Sequence, residues 1–283
     1  MNDFKYVKEF LSTAKGTEGS LLIVKKIYDT LIGEVQKALI PRSEAAFYLG
    51  PGDIPGSSVD VDLETPDTLK IRALGEFSEA PMDTPSYTTF NVKPIKYGVA
   101  LRITREMMED GKWNLIQRNI ARAGKRMAEN ETSLIITQLD SASNTVSGGA
   151  AITVANITRA MQYLEDTDYE ATTYLVGMEV ANDIRNIDTF AEADKHGSDE
   201  MQISGFLGVI YAMRVYKVST NAGMTTTSSY VFDRAQGYLI AEKRPVTVED
   251  FALPLLDSNG CVITQRLKMR YVRAEAIAKV TTS

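Results

Sequence analysis

The sequence contains little of what most catalytic and metal sites are built from. Its 283 residues include one cysteine, Cys261, and one histidine, His196. A single cysteine excludes an internal disulfide and a cysteine-rich metal cluster, and its apolar flanks predict a small buried side chain. Histidine is the commonest catalytic base and zinc ligand. Most hydrolase and metalloenzyme schemes therefore have no candidate residue here, and the polar stretch around His196 indicates a solvated loop.

Long apolar runs and an excess of positive charge are also missing. No apolar stretch approaches the roughly 18 residues that a transmembrane helix requires, and charges interrupt the N-terminal MNDFKYVKEF. We therefore expect no secretory signal and no membrane contact. Lys and Arg number 31 against 37 Asp and Glu, a net charge of −6. Such a chain is predicted to be a poor general nucleic-acid binder, because that affinity comes mainly from neutralising phosphates.

Catalytic motifs are the third absence. The sequence has no GxxxxGK[ST] phosphate loop, no GxSxG, no HExxH and no CxxC. Acidic residues are plentiful, but acid pairs at predicted helix and loop ends usually face solvent. A carboxylate-using soluble enzyme is kept as an alternative, whereas the prediction is a structural protein with no catalytic, cofactor-binding or metal-binding residues and no cofactor.

The most informative stretch that is present is GEFSEAPMDTPSYTTFNVKPIKYGVALRIT, residues 75–104. It reads as two long strands around a proline-rich tip. Apolar and charged residues alternate in VDVDLE (59–64) and TLKIRAL (68–74), and TTFNV (88–92) puts Phe90 and Val92 on one face, which predicts strands. In TTFNV, just before Pro94, the apolar residues of the alternating pattern have even numbers, and after Pro94 they have odd numbers. This shift by one residue predicts a bulge or a sharp twist near Pro94. The part beyond Pro94 is expected to join a core sheet.

The part before Pro94 carries charges of both signs. An isolated two-stranded ribbon is marginal in water, so we expect this one to lie across a neighbouring subunit through ion pairs and apolar contacts. The alternative is a solvated hairpin, since exposed charges usually contribute little. The predicted inter-subunit contacts are Asp60, Asp62, Glu64, Lys70, Arg72, Glu76, Phe77, Glu79, Tyr87, Phe90 and Lys93.

The remaining segments read as helices and short alternating elements. Residues 1–40 are predicted to be helical and locally basic, and residues 113–139 to form one helix about 40 Å long. SNTVSGGAA (143–151) is predicted to be a flexible domain boundary, followed by short α and β elements without a regular βαβ repeat. Among these elements GYLIAEK (237–243) and VTVEDF (246–251) are predicted to be two separate strands. The last segment, residues 263–282, is expected to return to the first domain's sheet. The basic residues predicted to face DNA are Lys5, Lys8, Lys15, Lys25 and Lys26.

The order of these parts resembles the major capsid proteins of tailed bacteriophages, which have the Hong Kong 97 fold. GEFSEAP and YTTFNVKPIKYGVALRITREMMED are similar to the extended loop running into the spine helix of that family. LGVIYAMRVYKVS, DRAQGYLIAEKRPVTVE and ITQRLKMRYVRAEAIAKV are similar to its later strands. Together these matches cover most of residues 40–280.

The resemblance implies an α+β, Hong Kong 97-like fold with four parts. These are an N-arm (1–49), an extended β-ribbon loop (50–95), a peripheral domain with a long spine helix (96–149 and 259–283) and an axial domain (150–258). It implies self-assembly through hexamers and pentamers into an icosahedral, megadalton capsid around double-stranded DNA, located in the virion and assembled in the host cytoplasm.

The resemblance also implies partners. Because the sequence reaches the N-arm at once, we expect any scaffolding protein to be a separate chain, beside a portal and non-specific contact with packaged DNA. No lysine–asparagine crosslink is predicted. The alternative within the same fold is an encapsulin, a nanocompartment shell that binds cargo enzymes.

Overall fold

The computed structural model describes residues 42–65, 71–74, 76, 79, 82–104, 106, 113–187, 206–253 and 258–282. The predictions for residues 1–40 and for His196 lie outside this part of the chain. Three α-helices are described: α1 (Trp113–Leu139), α2 (Val154–Glu165) and α3 (Met178–Asn186). Short 3-10 turns span Arg42–Glu44 and Thr220–Ala222.

Twelve strands are described in the same part of the chain. They are β1 (Phe47–Leu49), β2 (Val59–Glu64), β3 (Tyr87–Val92), β4 (Ile95–Thr104), β5 (Asn144–Ser147), β6 (Thr173–Val176), β7 (Phe206–Ile210), β8 (Met213–Lys217), β9 (Ser228–Phe232), β10 (Tyr238–Leu253), β11 (Ser258–Tyr271) and β12 (Ile277–Thr281). A four-stranded sheet has the order β1-β10-β11-β4, and a six-stranded sheet has the order β5-β12-β9-β6-β8-β7. Strands β2 and β3 form a separate antiparallel ribbon.

Helix α1 has the bounds predicted from the sequence. Its buried positions Ile120, Ala123 and Met127 recur at helical spacing and pack with Ile263 of β11. Near its C-terminus, Ile135 and Leu139 enter a second core that also contains residues of both large sheets. The helix is therefore a rod that lies on the four-stranded sheet and reaches the six-stranded one. No helix in the described ranges is both long and apolar enough to cross a membrane.

The phase change at Pro94 coincides with a change of sheet. Phe90 and Val92 share the buried face of the ribbon, as predicted, whereas Tyr97, Val99 and Leu101 are partly buried on one face of β4 in the four-stranded sheet. Because the chain leaves one sheet and enters another between residues 92 and 95, the strand turns over there. The prediction that the part beyond Pro94 joins a core sheet is confirmed, because β4 pairs with β11 over ten residues.

Two strand predictions are wrong. Residues 71–74 were expected to be part of a strand, but they have no regular structure, and alternation without a pairing partner does not make a strand. The segments GYLIAEK and VTVEDF were expected to be separate strands, but both belong to β10. Register shifts on either side of Arg244 fall next to Pro245, which cannot donate a ladder hydrogen bond.

Two predicted connections also differ from the structure. The segment 143–151 contains β5, which pairs in parallel with β12 and buries Val146, so it is not simply a flexible link. Strand β11 returns to the four-stranded sheet as expected, but β12 enters the six-stranded sheet. Both faces of β12 are covered, because Ala278 and Val280 pack in the core that contains α2, whereas Ile277 packs in the core that contains the end of α1. The two large sheets therefore do not follow the predicted domain boundaries, because β11 and β12 lie in different sheets. The division of the chain into domains stays a prediction.

Candidate assembly surface

The ribbon formed by β2 and β3 is anchored on its own chain. Its apolar face comprises Val59, Val61, Leu63, Phe90 and Val92. This face packs on Leu239 and Ala241 of β10, on Val272 just after β11, and on Ile54 in the turn before the ribbon. A two-stranded ribbon has too little buried surface to be stable alone. The strands therefore owe their position to this intrachain contact.

Polar contacts reinforce the anchor. The Arg270 guanidinium lies over the Phe90 ring, 4.7 Å from its centroid, a cation–π geometry. Arg273 Nη2 donates to the backbone carbonyl of Glu64 at 2.5 Å. Lys243 Nζ donates to the carbonyl of Ile54, in the turn before the ribbon. The cations of β10, β11 and the following turn thus hold the ribbon along its length, from the turn before β2 to the last residue of β2.

The opposite face of the ribbon is acidic and exposed. Asn91 Nδ2 donates to Asp60 Oδ1 at 2.6 Å, and Thr89 Oγ1 donates to Asp62 Oδ1 at 2.5 Å. These pairs are cross-strand neighbours in the ribbon register. Asp60, Asp62 and Glu64 form no ion pair with another described residue. The face thus presents a row of carboxylates that neutral side chains orient.

The described part of the ribbon tip exposes large apolar side chains. Ile71 and Met82 are fully exposed, and Leu74 and Tyr87 are more than half exposed. Arg72 Nη2 contacts Asp83 Oδ1 at 3.2 Å across the tip, an exposed pair that contributes little by itself. The ion pair brings the segments that carry Ile71 and Met82 together, and exposed apolar side chains that lie near one another are typical of an interaction site.

A charge cluster attaches the turn before β1 to two other elements. Arg42 Nε and Nη2 each donate to Glu131 of α1 at 3.0 Å, and its Nη1 lies 3.0 Å from Glu242 of β10. Both carboxylates are almost completely buried. Although burial opposes its charged form, Arg42 has a raised pKa because of the two carboxylates. Burial and the hydrogen bond to Glu242 raise the pKa of Tyr48 to about 12.

A second cluster around Glu44 attaches the same turn to the six-stranded sheet. Thr173 Oγ1 donates to Glu44 Oε2 at 2.6 Å, and Arg214 Nη1 and Tyr216 Oη donate to Oε1 at 3.2 and 3.1 Å. The hydrogen bond from Arg214 to Glu44 raises the pKa of Arg214. The buried Tyr238 phenol has no hydrogen-bond partner among the described residues. Its pKa is raised by burial and then by the charges of Glu44 and Glu131.

Comparison with known proteins decides the family. A family model described as phage capsid protein matches residues 87–275, from the second ribbon strand to the turn after β11. This match covers more than half of the chain. The chain belongs to the phage capsid protein family. A comparison with curated protein sequences finds no match.

Solved capsid structures share the fold of this phage capsid protein. The mature capsid protein of bacteriophage PhiM1 has a TM-score of 0.63 at 11% identity and covers 87% of both chains. The chain from Gordonia phage Cozz has a TM-score of 0.64 at 10% identity, covering 85% of both. A virus-like particle from Pyrococcus furiosus gives 0.62 at 11% identity, covering 91% of this chain and 99% of the other. The predicted α+β capsid fold is confirmed, and the role of this family is structural.

The described part of the chain includes some of the residues that were predicted to contact a neighbouring subunit or DNA. Lys70, Phe77 and the five N-terminal lysines lie outside the described residues. Asp60, Asp62, Glu64, Arg72, Glu76, Glu79, Tyr87 and Lys93 are exposed on the ribbon, its tip or the link to β4. Phe90 is half-buried against its own chain, as described above. The inter-subunit role of all these residues stays a prediction.

Sequence reasoning missed the apolar tip residues and both charge clusters. Ile71 and Leu74 were assigned to a predicted strand, so their exposure was not anticipated. Met82 was the available signal, a large apolar residue between prolines in a polar segment. The Arg42 and Glu44 clusters join residues at least 89 positions apart, and no sequence spacing reports such pairs. No group of three or more His, Cys, Asp or Glu side chains in the described part of the chain could hold a metal ion.

Proposed function

We propose that this capsid protein self-assembles through hexamers and pentamers into an icosahedral shell that encloses double-stranded DNA. The shell is the capsid of the virion, and assembly takes place in the host cytoplasm. The observation that carries the proposal is the ribbon, whose base is held on its own chain while its tip presents apolar side chains to solvent. Such a tip is suited to a partner, and in a capsid protein the first candidate is a neighbouring copy.

The contacts proposed for the tip combine apolar and charged groups. Ile71, Leu74 and Met82 supply apolar area, at about 25 cal/mol for each Å² removed from water. The carboxylates of the ribbon's acidic face supply exposed ion pairs worth about 0.2–1 kcal/mol each. These energies are small for one copy. In a closed shell every copy makes the same contacts, so the weak terms add.

Particle formation by the full-length chain tests the proposal. We expect sedimentation and negative-stain electron microscopy to show closed particles of megadalton mass. A chain that stays monomeric or forms a small oligomer would overturn the proposal. It would instead favour the alternative of a soluble protein with another function.

A variant with three substitutions tests the role of the ribbon tip. The combined change Ile71→Ser, Leu74→Ser and Met82→Ser leaves both ribbon strands intact, and because all three side chains are exposed, the unfolding midpoint should stay unchanged. We expect this variant to fold but not to form particles. The matched control is Val209→Ser with Tyr211→Ser, which removes exposed apolar groups next to the β7–β8 turn. Loss of particles in both variants, or in neither, would contradict a specific role of the tip.

A nanocompartment shell of the encapsulin type is the second candidate. The similarity to a virus-like particle over 99% of that chain favours keeping it. The contents of purified particles separate the two functions. Nuclease-protected DNA in particles made during infection supports the virion, whereas a stoichiometric cargo enzyme identified by mass spectrometry supports the nanocompartment.

A further inference from the structure

One side of α1 carries a row of cations over more than two helical turns. Arg118, Arg122, Lys125 and Arg126 are all exposed. At 3.6 residues per turn, the first three lie within about 60° of one another around the helix axis, and Arg126 lies beside them. The four residues occupy about 12 Å of the rod. We call these four residues the basic stripe.

The basic stripe is electrostatically unusual for this chain. The net charge of the protein is −6, yet residues 111–128, GKWNLIQRNIARAGKRMA, contain no acidic residue. The first acid after the stripe is Glu129, which contacts Arg126 at 2.8 Å and Lys125 at 3.9 Å. Arg118 and Arg122 form no ion pair with any described residue. Within the described part of the chain, the stripe therefore carries four positive charges against the single contacting carboxylate of Glu129.

The stripe lies on the side of α1 that faces away from the sheet. The opposite side of α1 is buried, with Ile120, Ala123 and Met127 packed toward the four-stranded sheet. Lys125 and Arg126 keep more than 60% of their side-chain surface exposed. One continuous helix packed on a sheet thus presents these cations in a line along a ridge. Side chains that leave one side of a helix point away from its axis and diverge, so this arrangement does not enclose a small anion.

The composition of the stripe indicates the class of partner. The exposed side chains between residues 118 and 126 are the four cations and Asn119, so the ridge offers no apolar anchor. Protein interfaces usually have an apolar core from which charged residues are depleted. A duplex instead presents one phosphate charge per about 1.7 Å of its axis and is bound mainly through Lys and Arg. A purely cationic line on a rod matches the phosphate backbone better than a protein surface.

We propose that the basic stripe is a sequence-independent contact surface for the phosphate backbone of duplex DNA. It follows that α1 faces the interior of the shell. This inference rests on the proposed function in one respect, namely that the shell encloses DNA. It differs from the prediction made from sequence, which assigned DNA contact to the N-terminal lysines.

Salt-dependent DNA binding by the full-length protein tests the proposal. The variant Arg118→Gln, Arg122→Gln and Lys125→Gln removes three cations of the stripe, and a fluorescent duplex of mixed sequence is titrated with unassembled subunits at several salt concentrations. Each lost phosphate contact should lower the slope of log affinity against log salt by about 0.9. We expect the slope to fall by roughly two to three and the affinity at low salt to fall at least about tenfold.

A variant with the same charge change serves as the control. Arg185→Gln, Lys217→Gln and Arg234→Gln also remove two arginines and one lysine, all exposed and scattered over the six-stranded-sheet part of the chain. We expect this variant to keep the wild-type slope. An equal fall in both variants would show that only net charge matters, and an unchanged slope in the stripe variant would show that the stripe does not touch DNA. Either result overturns the proposal.

Particle formation separates this inference from the proposed function. The stripe variant is expected to form normal shells that retain less nuclease-protected nucleic acid than the wild type. If the occupant is instead the acidic ribbon face of a neighbouring copy, the stripe variant will lose particles while DNA affinity stays unchanged. That outcome would overturn the DNA contact and leave self-assembly intact. Absence of particles from the wild type would overturn the proposed function itself.

Discussion

Arg42 and Glu131 form a bidentate ion pair between the turn before β1 and the middle of α1. Nε lies 3.0 Å from Oε1, and Nη2 lies 3.0 Å from Oε2. The same guanidinium bonds to Glu242 of β10. Because fixed two-point geometry is the strong form of such pairs, one arginine holds the start of the described chain against both the spine helix and the longest strand.

Replacing Arg42 should destabilise the fold strongly. Arg42→Met leaves the carboxylates of Glu131 and Glu242 buried without their common partner, and breaking a buried pair from one side costs about 3–5 kcal/mol. We expect the free energy of unfolding to fall by about 3 kcal/mol, the lower end of this range, because a third of the Arg42 side chain is exposed to water. Urea denaturation measures the change in the free energy of unfolding.

Arg126→Met is the matched control for that change. Arg126 also bonds to a buried carboxylate, that of Glu129, but 69% of the arginine side chain is exposed. Exposed pairs contribute about 0–1 kcal/mol. Equal losses of unfolding free energy in the two variants would contradict the special role of the Arg42 cluster.

The phenol of Tyr238 is expected to be dispensable for stability. It is buried and has no hydrogen-bond partner among the described residues, so Tyr238→Phe should be within about 0.5 kcal/mol of the wild type or more stable. Tyr174→Phe is the comparison, because the buried Tyr174 phenol bonds to Ser229 Oγ at 3.2 Å. It should lose about 1 kcal/mol. The reverse order of stability in thermal unfolding would refute this assignment.

Alkaline pH should destabilise the protein through its tyrosines. Burial raises the pKa of Tyr174, Tyr230 and Tyr238 above the ordinary value of 10.0, and that of Tyr48 to about 12. Above pH 10 the unfolded chain releases phenol protons that the folded chain keeps. The unfolded state then binds fewer protons, so the free energy of unfolding falls as pH rises.

The stability that depends on these phenols is therefore fully present below about pH 10 and decreases from there toward pH 12 and above. Unfolding midpoints measured from about pH 8 to pH 11 check the sign. Tyr238→Phe should show a shallower decrease than the wild type. A midpoint that stays constant across this range would contradict the burial of these phenols.

Glycine at position 177 is expected to be irreplaceable. A Cβ there would lie 2.5 Å from the carbonyl oxygens of both Thr225 and Thr226. These are backbone atoms of the loop before β9, and the Thr226 carbonyl accepts from the first turn of α3. Gly177→Ala must therefore shift the chain, at a cost of about 3 kcal/mol. Gly52→Ala is the control, because its Cβ would meet nothing within 4 Å. Similar urea midpoints for both variants would show that the loop near Thr225 moves freely.

The sequence predicted local elements well where one face of an element is buried. The bounds of α1 were correct because its apolar residues recur at helical spacing from Ile120 to Ile135. The alternation in Val59–Glu64 and the phase change at Pro94 were also interpreted correctly. Residues 71–74 show the converse. Leu69, Ile71 and Ala73 alternate just as regularly, but alternation predicts a strand only where a neighbouring strand supplies hydrogen bonds.

What the amino-acid sequence alone determined is the family, the α+β class and the order of the elements, because these depend on periodicity and on local order along the chain. Tertiary structure decided which sheet each strand enters. In the folded chain β12 lies in the six-stranded sheet while β11 lies in the four-stranded one, and the ribbon packs on Leu239 and Ala241. Tertiary structure also brought Arg42 to Glu131 and Glu242. These contacts join residues far apart in the chain, and their free energy comes from burial that exists only once the elements have packed.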